Sequence, residues 1–77
     1  MTDRDHIVAL LADAHIGWLA AETVVNLNIA GRAIQSGAWR RASHHLDRAL
    51  AHTRSKRVEA ACREALEWLG TQTQTNA

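Results

Sequence analysis

Apolar side chains recur every three or four positions along most of this chain, and no proline interrupts the pattern. That period places the apolar side chains on one side of an α-helix. Alanine, leucine, arginine and glutamate are plentiful and favour helix, whereas phenylalanine and tyrosine, which favour strands, are absent. The sequence therefore predicts an all-α fold, a small antiparallel bundle or array of three or four helices joined by short turns.

The length of 77 residues allows one domain, close to the smallest size at which a core is stable alone. We expect this domain to span residues 1–70 and the polar run at residues 71–77 to be a disordered tail. The longest apolar stretch, residues 16–30, contains Glu22 and two asparagines and is too short and too polar to cross a membrane. Acidic residues near the start argue against a secretory signal, and the single cysteine fits a reducing compartment. We therefore expect a soluble, cytoplasmic protein.

Capping and glycine residues suggest where the first two helices begin and end. The first helix is predicted to start at Thr2 or Asp3 and to break or bend near residues 15–17, where Gly17 weakens a helix. The second is predicted over residues 18–35. It is followed by a turn at Ser36 and Gly37, in which the glycine takes a left-handed backbone conformation.

The last two helices are bounded by similar signals. The third helix is predicted over residues 38–53 and is amphipathic. A short basic turn at residues 54–57 follows, with Ser55 as the cap of the fourth helix. Gly70 is predicted to end that helix.

The second helix is apolar on two opposite sides, which is unusual in so short a chain. The remaining helices carry one apolar stripe each, so part of this surface is expected to face a second copy of the chain. We therefore predict a homodimer. Its interface would contain either Trp18, Val25 and Ile29, or the opposite set of Val24, Leu27 and Ile34.

Positive charge is concentrated in one segment. Residues 32–57 hold seven basic side chains and one acidic side chain, whereas the net charge of the whole chain is only +1. Six of these seven, together with two histidines, cover the outer half of the third helix and the turn after it. The set is Arg40, Arg41, His44, Arg48, His52, Arg54, Lys56 and Arg57. This set could contact an acidic protein surface or the phosphates of a nucleic acid, or it could be an ordinary solvated helix face.

Small and large side chains alternate regularly along the third helix, at Gly37, Trp39, Ala42, Leu46 and Ala49. This pattern resembles the second helix of a tetratricopeptide repeat, and the match extends over about one hairpin, residues 23–54. The sequence departs from the family at Asn26, where the family has an aromatic residue, at Ala30, where it has glycine, and by lacking the closing proline and a second repeat. The resemblance implies a helical hairpin that could serve as a protein-binding surface.

The histidines do not have the spacing of helical metal ligands, which lie three or four residues apart. His44 and His45 are neighbours, His45 and His52 are two turns apart, and His6 and His15 lack partners at ligand spacing. We expect no metal site within the chain and no cofactor, although a site shared between subunits stays open. The sequence also has no glycine-rich phosphate loop, and Cys62 lies on an apolar helix face where a thiol is usually inert. These observations predict a protein that is not an enzyme.

The three tryptophans differ in their surroundings. Trp18 and Trp39 lie on apolar faces and are predicted to be core residues. Trp68 lies at the edge of its apolar stripe, beside Glu64 and Glu67, and is a candidate anchor for an interface.

Charge pattern, helical hairpin and excess apolar surface together favour binding over catalysis. The sequence predicts a protein–protein interaction module, a small adaptor, regulator or inhibitor that acts through its helix surfaces. Small stand-alone proteins of this class are common on phages and plasmids. The alternative is a nucleic-acid-binding regulator that uses the basic face of the third helix and the following turn.

Overall fold

Four helices make up the structure, a computed structural model that describes residues 3–14 and 21–75. They are α1 (Asp3–Asp13), α2 (Ala21–Gln35), α3 (Trp39–His52) and α4 (Lys56–Thr75). The described residues contain no strand. This confirms the predicted all-α fold. The predicted bend near Gly17 and the predicted start of the second helix at Trp18 lie outside the described residues.

The helices pack in a closed cycle in which α1 contacts α2, α2 contacts α3, α3 contacts α4, and α4 contacts α1. The contact between α2 and α3 is the most extensive. These two helices are antiparallel, because Asn26 lies next to His45 and the earlier Glu22 lies next to the later Arg48. The core occupies the centre of the cycle and receives side chains from every helix.

Small side chains let α3 approach α2 on one side and α4 on the other. The buried alanines of these helices alternate with larger residues, of which Leu27, Ile34, Leu46 and Leu69 are almost completely buried. The fully buried alanines are Ala30 on α2, Ala42 and Ala49 on α3, and Ala65 on α4. Of the alternation predicted for the third helix, Ala42, Leu46 and Ala49 therefore lie in the core, whereas Trp39 is half-buried and Gly37 is exposed.

The turn between α2 and α3 is a Schellman motif. The Ala38 N–H donates to the Ala33 carbonyl oxygen at 2.8 Å, and the Gly37 N–H donates to that of Ile34 at 3.2 Å. Gly37 has a φ of 80°, in the left-handed region, as the sequence predicted. The motif satisfies carbonyl groups that the end of α2 would otherwise leave without donors.

Ser55 caps α4 as predicted, because the Val58 N–H donates to the Ser55 hydroxyl oxygen at 3.3 Å. The predicted end of this helix at Gly70 is wrong, because α4 continues to Thr75. Gly70 has no left-handed backbone conformation, and the Thr71 hydroxyl donates to the Trp68 carbonyl oxygen at 2.6 Å. Residues 71–75, predicted to begin a disordered tail, are therefore helical.

One of the two alternatives for a dimer interface on α2 is not available. Leu27 and Ile34 are almost completely buried in the core of their own chain, and Val24 is half-buried. On the opposite side, Val25 is 53% exposed and Ile29 is half-buried. Trp18 lies outside the described residues. The prediction that Leu27 and Ile34 meet a second copy is therefore corrected: α1 and α3 pack against α2, and both side chains lie in the core of their own chain.

Candidate binding surfaces

All eight basic side chains predicted to form a surface are exposed, and we call this set the basic surface. The outward side of α3 carries Arg40, Arg41, His44, Arg48 and His52; Arg54 lies in the following turn, and Lys56 and Arg57 lie in the first turn of α4. The basic turn is thus shorter than predicted, since α4 begins at Lys56. The opposite side of α3 packs in the core, so the positions of these side chains are set by a buried helix face.

Glu22 of α2 borders the basic surface on one side. Its Oε1 atom lies 3.4 Å from Arg48 Nη2 and 3.4 Å from His52 Nε2. All three side chains are about half exposed, so these contacts contribute little to stability. The other basic side chains make no ion pair with any described residue, and they are Arg40, Arg41, His44, Arg54, Lys56 and Arg57.

A polar connection between α2 and α3 lies under the edge of this surface. Asn26 is only 4% exposed, and its Nδ2 group donates to the Glu22 carbonyl oxygen at 2.9 Å. This bond turns Asn26 Oδ1 toward His45, whose Nδ1 lies 2.8 Å away. Because the amide oxygen can only accept, His45 carries its proton on Nδ1. The buried amide thus has partners for both of its polar ends.

The sequence did not reveal this connection, although an asparagine within an apolar helix was a signal that a buried partner is needed. Burial lowers the pKa of His45 below its ordinary value of 6.5, with further contributions from His44, Arg41 and Arg48. The rings of His44 and His45 lie edge to face with their centroids 5.0 Å apart. They are therefore closer than their adjacent positions on the helix suggested.

A groove of about 360 Å³ lies between α1 and α4. We call it the acidic groove, and the described residues that line it are His6, Ile7, Glu64, Glu67, Trp68 and Thr71. His6 Nε2 lies 3.1 Å from Glu64 Oε2, and both side chains are more than half exposed. Ile7 is 3% exposed and belongs to the core.

The Trp68 indole on one wall of this groove is fixed by a second tryptophan. Its ring and that of Trp39 meet edge to face, with centroids 5.5 Å apart and planes at 89°. Both side chains are half-buried and pack against the core, so Trp39 is less buried than predicted. The Trp68 Nε1–H group is buried and has no acceptor among the described residues. The predicted role of Trp68 as an interface anchor stays a prediction.

The described residues bear on two kinds of chemistry, metal binding and catalysis by a thiol. No three His, Cys, Asp or Glu side chains among them come together in a way that could hold a metal ion. His15 lies outside the described residues. Cys62 is fully buried, and burial, together with the charge of Asp47, raises its pKa to about 11. This thiol stays protonated and out of reach of a substrate in the folded chain.

Within the part of the chain that the structure describes, no helix combines the length and the apolar character that crossing a bilayer would require.

No family model, curated protein or solved structure matches this chain. The resemblance to a tetratricopeptide repeat therefore depends on the residues of the α2–α3 hairpin alone. Three of them, Ala42, Leu46 and Ala49, are fully buried.

Proposed function

We propose that this protein is a non-enzymatic binding module, an adaptor, regulator or inhibitor that holds an acidic surface of a partner protein on its basic surface. The observation that carries the proposal is the group of exposed basic side chains without an ion pair to any described residue: Arg40, Arg41, His44, Arg54, Lys56 and Arg57. An acidic partner would supply the missing counter-charges.

The rigidity of the basic surface supports binding. The α3 helix presents one side to the core through Ala42, Leu46 and Ala49, which are fully buried. The Asn26–His45 hydrogen bond also joins α3 to α2. A partner therefore meets side chains on a fixed backbone and loses less conformational entropy on binding than it would with a flexible segment.

The charges around the basic surface favour a protein over a nucleic acid. The Glu22 carboxylate contacts Arg48 and His52, and Asp47 is exposed on α3 itself. A continuous run of phosphates along α3 would approach both carboxylates. A protein surface of mixed sign can place its own cations opposite them.

The test is a pull-down with the immobilised full chain, comparing Arg40→Gln/Arg41→Gln with Arg4→Gln/Arg32→Gln. The control removes the same two charges from exposed positions outside the basic surface. We expect the wild type and the control to retain the same acidic protein and the Arg40→Gln/Arg41→Gln variant to lose it. Each retained protein is then purified and its affinity measured by titration calorimetry. Equal retention by both variants would contradict the proposal.

The same variants test the alternative function. A gel-shift series with duplex and single-stranded nucleic acid at low salt should show no complex with the wild type. If a complex forms, weakens steeply with salt and is lost in Arg40→Gln/Arg41→Gln, the basic surface binds phosphates and the protein is a nucleic-acid-binding regulator.

A further inference from the structure

The acidic groove has the chemistry of a site for a cation. Glu64 and Glu67 are exposed carboxylates, and the described lining contains neither lysine nor arginine. His6 contacts one oxygen of Glu64, which leaves the other oxygen and the whole of Glu67 free of described partners. His6 is the one basic side chain among the described residues of the lining, so two carboxylates give this groove its negative charge.

An arginine side chain fits this groove better than a lysine. A guanidinium group forms two parallel hydrogen bonds with a carboxylate and stacks on an aromatic ring. Here the carboxylates of Glu64 and Glu67 lie beside the half-buried indole of Trp68. The contact of that indole with Trp39 holds the ring in place for such stacking.

The arginines of the basic surface are not placed to enter the groove of their own chain, and the exposed Arg63, on the same helix as the two glutamates, pairs with Glu59. The basic surface belongs to α3, the following turn and the first turn of α4, whereas the groove is built by α1 and residues 64–71 of α4. No ion pair between described residues joins the two. Among the described residues, the basic surface and the acidic groove therefore do not meet within one chain, and a contact between them would join two molecules.

We infer that the acidic groove receives an arginine from the basic surface of a second copy of this chain. The candidates are the four exposed arginines of that surface without an ion pair to a described residue, which are Arg40, Arg41, Arg54 and Arg57. The two contacting sites differ, so a two-fold dimer would form the contact twice. This self-contact goes beyond the proposed function but uses its basic surface, so it would compete with an acidic partner.

The contact should be weak and sensitive to salt, because it depends on exposed ion pairs. Heteronuclear NMR of the full chain at low salt, from about 20 µM to about 1 mM, covers the range in which such contacts form. We expect the Trp68 indole N–H, the amides of Glu64 and Glu67 and the arginine side chains of the basic surface to shift together with concentration. Added salt should reverse these shifts.

Two double variants with equal changes in charge decide whether the groove is responsible. Glu64→Gln/Glu67→Gln should abolish the concentration-dependent shifts of the distant arginines, whereas Asp13→Asn/Glu59→Gln, at exposed positions outside the groove, should retain them. Shifts that persist in the groove variant, that are absent in the wild type, or that are confined to Val25 and its neighbours would overturn the inference. Glu64→Gln/Glu67→Gln should capture an acidic partner at least as well as the wild type, because it keeps the basic surface and loses a competing contact, so the proposed function is tested separately.

Discussion

Asn26 is held in the core by two hydrogen bonds, one to the Glu22 carbonyl oxygen and one to His45. The first fixes the orientation of the amide, and the second fixes which nitrogen of the imidazole carries the proton. Burial of a polar group is costly unless its partners are present, so these bonds also favour the observed alignment of α2 and α3. A shift of α3 along α2 would leave the amide without its partner.

Replacement of Asn26 tests this connection. We expect Asn26→Ala to lower the free energy of unfolding by about 1–2 kcal/mol, because both hydrogen bonds are lost and a small void forms. Asn28→Ala, at an exposed position on the same helix, should change the free energy of unfolding by less than about 0.5 kcal/mol. Urea denaturation of the two variants gives the comparison. Equal effects would show that the buried amide contributes nothing specific.

The pKa of His45 predicts how acid affects stability. Its value in the folded chain lies below its ordinary value of 6.5, mainly because of burial and then because of His44, Arg41 and Arg48. The unfolded chain therefore binds a proton at His45 more readily than the folded chain does. Neutral His45 contributes its full stabilisation at pH values above 6.5, and this contribution decreases as the pH falls toward the pKa of His45 in the folded chain. Urea denaturation at several pH values should show a smaller loss of stability on acidification in His45→Gln than in the wild type.

At the level of the helices, the two ends of α3 were predicted to within one residue. Both ends carry local signals, a left-handed glycine at position 37 on one side and the capping residue Ser55 soon after the other. The end of α4 could not be predicted in this way. A glycine near the end of an apolar pattern is compatible with a stop or with a continuing helix, and the choice depends on its φ angle.

Two glycine substitutions with opposite expected signs test these assignments. Gly70 lies inside α4, and a Cβ atom there meets nothing within 4 Å, so Gly70→Ala should stabilise the protein by about 0.5–1 kcal/mol. Gly37 also has open space around it, but its φ of 80° is unfavourable for alanine. Gly37→Ala should therefore destabilise by about 1 kcal/mol or more. Thermal denaturation measures both; destabilisation by Gly70→Ala would indicate that the helix ends there.

At the level of the whole molecule, the helical period predicted the fold but did not show which apolar side of α2 is covered. That outcome depends on how four helices close into a cycle, which places Leu27 and Ile34 in the centre and leaves Val25 outside. The basic surface was predictable because exposed charges follow from the period of α3 alone. The acidic groove was not, since it joins His6 to residues near the other end of the chain.

The closed cycle also changes where a homodimer would form. Val25 is the one large apolar side chain that is exposed among the described residues, and a single valine gives little surface for an interface. We therefore expect Val25→Lys to leave the self-association of the chain unchanged in sedimentation equilibrium. If this variant alone converts a dimer to an 8.5 kDa monomer, α2 forms the interface and the groove does not.

Cys62, buried in the first half of α4, makes the rate of thiol labelling a measure of opening of the bundle. In the folded chain the thiol is fully buried and its pKa is raised to about 11, so neither access nor ionisation favours reaction with an alkylating reagent. Any event that separates α4 from its neighbours removes both obstacles at once. The rate at which the unmodified protein acquires label therefore reports how often its helices part, without an engineered probe and under fully native conditions.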